Sequence, residues 1–99
     1  MNNQETIQYF NQKYEQNKYL LERKSNFYCG ITNDLKTRKQ QHNIDEYIAC
    51  VKCDSFKTTK EIETLLHQEG YDTGKQLANG NEESIYVYMY RKISGRTKE

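Results

Sequence analysis

Apolar residues along the chain fall into groups whose spacing changes from helical to alternating and back. From Glu5 to Arg23 nothing breaks a helix, and Ile7, Phe10, Tyr14 and Leu21 recur at near-helical spacing with Thr6 or Asn3 as start caps, which predicts a first helix. Asn26 to Ile31 is aromatic and β-branched and contains Gly30, as expected of a short strand with a close backbone approach. Thr32 or Asn33 then caps a helix running to about His42, with Asp34 complementing its N-terminal dipole. Tyr47 to Cys53 is a nearly continuous apolar run and predicts a strand covered on both faces. After Thr58 or Thr59, a helix places Ile62, Leu65 and Leu66 on one face and closes at Gly70. Tyr71 to Glu83, with Gly74 and Gly80, reads as a loop. The clearest alternation follows, with Ile85, Val87 and Met89 on one face of a strand and Tyr86, Tyr88 and Tyr90 on the other. Ser94 to Glu99 is polar and is expected to be a flexible tail.

These elements predict an α/β domain of the α+β kind over residues 1–99, with a small antiparallel three-stranded sheet flanked by helices. A chain of 99 residues supports one core. Only 34% of residues are apolar, yet nine tyrosines and three phenylalanines are present, so the core must draw on aromatic rings with polar edges.

The absence of a long apolar run or a basic-then-apolar leader predicts a cytoplasmic protein with no membrane partner. Three cysteines argue against a disulfide framework. Cys50 and Cys53 form a lone C-x-x-C on a predicted strand, where an odd separation turns the side chains apart and argues against zinc. A net charge of +1 announces no nucleic-acid partner, so any such contact must come from a local patch. Lys36, Lys39, Lys52, Lys57 and Lys60 are candidates for that patch, and equally for ordinary solubility.

The densest chemistry lies between Phe27 and His42. The run Phe27-Tyr28-Cys29-Gly30-Ile31-Thr32-Asn33-Asp34-Leu35, followed by Arg38 and His42, resembles the second half of the GIY-YIG nuclease signature. That pattern is an aromatic strand ending in Tyr-x-Gly, then Thr and Asn-Asp-Leu, then Arg and, four residues on, His. Leu35, Arg38 and His42 share one helical face beyond the strand that delivers Tyr28, so a phenol, a guanidinium and an imidazole would converge. The segment Ile62-Glu63-x-Leu65-Leu66 is similar to the family's helix bearing its metal-binding glutamate, which makes Glu63 the implied ligand. Asn79 or Asn81 falls where the family often places a site asparagine.

The first half of the signature is missing from its usual slot, where Tyr19-Leu20-Leu21-Glu22 stands in a helical context. Ser84-Ile85-Tyr86-Val87-Tyr88 resembles that strand instead, so the C-terminal strand is expected to fill its place in a circular rearrangement of the fold, with Tyr86 replacing Tyr19 as the second site tyrosine. The resemblance implies a metal-dependent endonuclease that hydrolyses DNA phosphodiesters with one Mg²⁺ or Mn²⁺ on Glu63. Arg38 would neutralise phosphoryl charge, Tyr28 would serve as general base or water-orienting group, His42 as proton relay, and Lys36, Lys39, Asn79 and Asn81 as substrate contacts. Branched or nicked DNA, a protein partner or a homodimer would then supply specificity.

Each residue also has an ordinary reading. Tyrosine before glycine is commonly packing, Arg38 a surface ion-pair residue, and His42 a helix-dipole partner. Glu63 among Lys60, Glu61 and Glu69 fits a solvated helix face, and His67, four residues on, offers a second ligand at most. The rival function is a GIY-YIG-like binding or inhibitory protein without cleavage, for example one encoded by a phage against a host defence; a structural module whose tyrosines merely build a core is a third. Glu63 on the opposite side of the molecule from Tyr28 and Arg38 would end the nuclease reading.

Overall fold

Asn2 opens the first helix. In the computed structural model, which describes residues 2–44, 46–74 and 85–93, its side chain accepts the Glu5 N–H at 2.8 Å while Glu5 accepts the Asn2 N–H at 3.0 Å. This reciprocal box satisfies N–H groups that a helix start otherwise leaves unpaired. The cap is therefore Asn2, not Asn3 or Thr6, and helix α1 spans Asn3–Asn17.

α1 stops well before Arg23, for a tertiary reason. Arg91 donates to the Asn17 carbonyl at the helix end and to both Glu22 carboxylate oxygens. Glu22 also accepts from the Tyr19 N–H and Asn26, and its backbone carbonyl accepts the Tyr14 hydroxyl at 2.6 Å. These bonds draw residues 18–22 into a turn in place of further helix, with Leu21 in the left-handed region at φ 69°.

A single 3₁₀ turn (Lys24–Asn26) leads into strand β1 (Phe27–Thr32). Asp34, rather than Thr32 or Asn33, caps helix α2 (Leu35–Gln41), accepting the Thr37 N–H at 3.1 Å. Thr32 instead steadies the cap by accepting the Asp34 N–H at 3.0 Å. Strand β2 (Ala49–Lys52) follows, then helix α3 (Phe56–Glu69), capped by Ser55 rather than Thr58 or Thr59 and closed by Gly70 at φ 108°. Strand β3 (Tyr86–Arg91) completes the sheet. Residues 94–99, Asn79 and Asn81 lie outside the described residues.

The three strands are antiparallel in the order β1-β3-β2. The last strand in the chain is thus the middle one, with Gly30 opposite Tyr88 and Val51 opposite Val87. β2 is an edge strand whose Cys50 and Lys52 are exposed, so the apolar run there does not mark a strand buried on both faces. Its apolar residues gain cover from one side only. The free edge of β1 is closed by the segment after α3: Asp72 bridges Tyr28 in parallel, with Cys29 donating to the Asp72 carbonyl at 2.8 Å. All three cysteines are free.

Alternation divides the sheet into two faces. Phe27, Cys29, Ile31, Ala49, Val87 and Met89 pack with Phe10 and Tyr14 of α1 and Ile62 and Leu66 of α3 to make the core. The opposite face carries Tyr28, Gly30, Tyr88 and Tyr90 and meets His42 at the end of α2. Among the described residues no helix is long and apolar enough to cross a membrane.

Candidate functional site

Tyr28 is the centre of the tyrosine face. Its ring lies 5.3 Å from that of Tyr90, 5.4 Å from His42 and 6.4 Å from Tyr88. Tyr88 is packed in turn against Tyr47, 4.9 Å away, whose hydroxyl donates to the Leu35 carbonyl at 2.6 Å and so ties the start of α2 to this face. Burial pushes the Tyr47 phenol up to about 12 despite the opposing effect of Arg38.

Beside these rings is a cleft of about 20 Å³ lined by Tyr28, Gly30, Arg38, Glu63, Thr73 and Tyr88. Four elements and the segment after α3 supply it. Its volume admits one water-sized occupant, given that a buried water needs roughly 10–15 Å³. Gly30 makes the cleft's floor passable: a Cβ there would stand 2.5 Å from the Tyr88 hydroxyl.

Glu63 points into this cleft and is only 3% exposed, so the solvated-face reading does not hold. Burial raises its carboxyl above the ordinary value, and Lys60, 2.9 Å away, and His67 pull it back only in part. Arg38 reaches the cleft from α2 and also donates to Gln41 at 3.3 Å. His67 places its Nδ1 2.9 Å from the hydroxyl of Thr73, a buried residue that lines the cleft.

His42 is 5% exposed and hydrogen-bonded on both ring nitrogens, with Nε2 2.9 Å from the Tyr88 hydroxyl and Nδ1 3.0 Å from that of Tyr90. Burial, reinforced by Tyr28, drives the Tyr88 phenol far above its ordinary value, while Arg38 opposes that rise. The backbone N–H of His42 closes α2 on the Arg38 carbonyl, while its ring belongs to a buried polar chain with Tyr88 and Tyr90.

Sequence reasoning named Tyr28, Arg38 and Glu63, and these line one cleft. It named Tyr86, which instead pairs with Thr32, while Tyr90 stands opposite Tyr28 and Tyr88 enters the cleft. It left Tyr19 as the other choice, but Tyr19 is 68% exposed beneath the Arg91 guanidinium, 4.3 Å from its ring centroid. Tyr88, Tyr90 and Thr73 were missed. Alternation put Tyr86, Tyr88 and Tyr90 on one face, but only the strand register decides which of them meets Tyr28. Lys36 is exposed on α2 and Lys39 half-buried, and neither is a cleft-lining residue. Asn79 and Asn81 lie outside the described residues.

Among the described residues no three His, Cys, Asp or Glu side chains gather as a cage for an ion. A single buried carboxylate nonetheless suits Mg²⁺, which is commonly held by one or two carboxylates together with waters and substrate phosphates. No family model, curated protein or solved structure matches this chain.

Proposed function

We propose that this chain is a metal-dependent endonuclease of the GIY-YIG type that hydrolyses phosphodiester bonds in DNA, with its C-terminal strand standing in for the family's first strand. One observation carries the reading: Tyr28, Arg38, Glu63 and Tyr88, drawn from β1, α2, α3 and β3, line the same cleft. The groups are those that phosphodiester hydrolysis needs. Glu63 would hold the divalent ion, which when bound supplies Lewis-acid polarisation of the phosphate and stabilises the leaving oxygen. Arg38 offers a planar fork to the phosphoryl oxygens and neutralises charge that grows on them. Tyr28 orients the attacking water at the cleft wall. Tyr88 is the second phenol of the site, and His42 is placed to accept its proton.

A second reading has support of its own. Lys60 lies 2.9 Å from Glu63 and offsets its charge. That pairing favours a protein that keeps the fold and the polar cluster but binds or inhibits without cutting.

Incubation of the purified chain with supercoiled plasmid and with branched or nicked duplexes, with and without Mg²⁺ or Mn²⁺, separates the two. Metal-dependent cleavage that drops at least about 100-fold in Arg38→Ala and in Glu63→Ala supports the enzyme. Binding without cleavage under every metal condition supports the second reading and sinks the first.

A further inference from the structure

Glu63 is the acidic residue that lines the cleft, and its two carboxylate oxygens are held unequally. Oε1 accepts the Lys60 ammonium at 2.9 Å, and among the described residues Lys60 is the carboxylate's one hydrogen-bond partner. Oε2 accepts no hydrogen bond there. Because no fully enclosed side-chain oxygen among the described residues is left unpaired, Oε2 keeps a path to solvent. Lys60, one turn before Glu63 on α3, is placed differently: its side chain is 26% exposed against 3% for Glu63. It also lines a separate, open groove of about 480 Å³ with Asn3 of α1 and with Glu61 and Leu65 of α3. Its flexible four-carbon stem thus gives the ammonium two stations, one on Glu63 and one in the groove.

Charge decides whether Glu63 can serve Lys60 and a second cation at once. A Mg²⁺ ligated by Oε2 at about 2.1 Å would stand on the order of 5 Å from the ammonium on Oε1. Like charges that close repel much more strongly in partly buried surroundings than in water. Lys60 can escape the repulsion by swinging into the groove, whereas the enclosed Glu63 has no such freedom. We propose that Lys60 is a gate residue: its ammonium is the resident counter-ion of Glu63 and leaves Oε1 for the neighbouring groove when the carboxylate takes a divalent cation. The gate rests on Glu63 as the holder of that cation, which is part of the nuclease reading, but the release of Lys60 is measured without cleavage.

Mn²⁺ binding to the full chain without DNA, read by water-proton relaxation, tests the gate directly. Lys60→Met keeps a long, flexible side chain and removes its charge. If Lys60 covers Glu63 in about nine molecules of ten, the parent's apparent affinity is lowered about tenfold, so Lys60→Met should bind Mn²⁺ at least about tenfold more tightly. Lys60→Arg, which keeps a cation, should stay close to the parent. So should Lys57→Met, which removes an equal charge from the same groove. The gain should vanish when Lys60→Met is combined with Glu63→Gln. Equal or weaker binding in Lys60→Met, an equal gain in Lys57→Met, or a gain that survives the double substitution overturns the gate. Where Lys60→Met fails to fold, the parent decides: on addition of Mg²⁺ the Lys60 Nζ resonance in ¹⁵N spectra should leave its ion-paired position and join those of exposed lysines. A resonance that stays in place at saturation overturns the proposal. A chain that releases Lys60 but never cuts DNA discards the nuclease reading alone, metal-dependent cleavage with an unmoved Lys60 discards the gate alone, and no Mn²⁺ binding by parent or variant discards both.

Discussion

The Tyr88 hydroxyl occupies the space that a side chain at Gly30 would fill, since a Cβ there would stand 2.5 Å from its oxygen and 2.6 Å from Cζ. The two residues face each other across the β1–β3 ladder, and Tyr88 is nearly inaccessible, so its ring has little room to retreat. Gly30→Ala is therefore expected to destabilise the fold by about 1–3 kcal/mol through overpacking. It should also break the Tyr88–His42 hydrogen bond. Urea unfolding and the near-ultraviolet circular dichroism of the tyrosines check both; a variant as stable as its parent would show that Tyr88 moves aside without strain.

Glu22 joins the turn after α1 to the end of β3. Burial alone would raise its carboxyl, but Arg91, the Tyr19 N–H and Asn26 outweigh that and hold it below the ordinary value of 4.5. The unfolded chain thus binds this proton more tightly than the folded one. Glu22 contributes stability above pH 4.5 that is lost as the pH falls through its folded value. Glu22→Gln should cost about 1–3 kcal/mol at pH 7, the range for hydrogen bonds to a charged group. The difference from the parent should shrink as titration proceeds below pH 4.5. A pH series of unfolding free energies decides the point.

Glu63 behaves in the opposite sense. Burial raises its carboxyl above 4.5, with Lys60 and His67 only partly offsetting the effect, so the folded chain holds a proton that the unfolded chain has shed. Its contribution to stability is then fullest below pH 4.5 and declines as the pH rises through the folded value. Glu63→Gln, an analogue of the protonated acid, should gain on the parent in stability across that rise. A divalent ion that binds at Glu63 should narrow the gap by stabilising the parent alone. Thermal scans from pH 4 to pH 8, with and without added Mg²⁺, give the comparison, and a gap independent of pH contradicts it.

Leu20 and Leu21 are 93% and 87% exposed, and Leu21 holds φ at 69°. The left-handed region costs a non-glycine residue about 1–2 kcal/mol, whereas glycine's extra unfolded-state freedom costs about 0.5–1 kcal/mol. Since Leu21 gives up almost no packing, Leu21→Gly is expected to be stabilising by up to about 1 kcal/mol. Leu20→Gly, which relieves no such backbone strain, should not share the gain. Paired chemical-denaturation curves test the contrast, and equal effects at the two positions would remove the strain argument.

The element types follow from local chemistry. Asp34, Ser55 and Gly70 end their helices through side-chain or backbone preferences that act within a few residues. The alternation from Ile85 to Tyr90 separates core face from tyrosine face because strand side chains point to opposite sides in turn. Tyr28 and Arg38 could be picked out for a similar reason, since a strand and the helix after it are joined by only a few residues.

By itself the sequence determined three helices, three strands and an aromatic face, because those depend on spacing and capping along the chain. Only the tertiary structure decided that α1 ends at Asn17, since the bonds from Arg91 that draw residues 18–22 into a turn come from the far end of the chain. Only it placed β3 between β1 and β2, and so set Tyr90 against Tyr28 and Tyr88 in the cleft where Tyr86 was expected. A period of two states which side chains share a face, but not how far one strand slides along the next. Glu63 likewise shows its buried position only when α3 is laid beside β1, for a helical carboxylate among charged neighbours looks solvated until its partner surface is known.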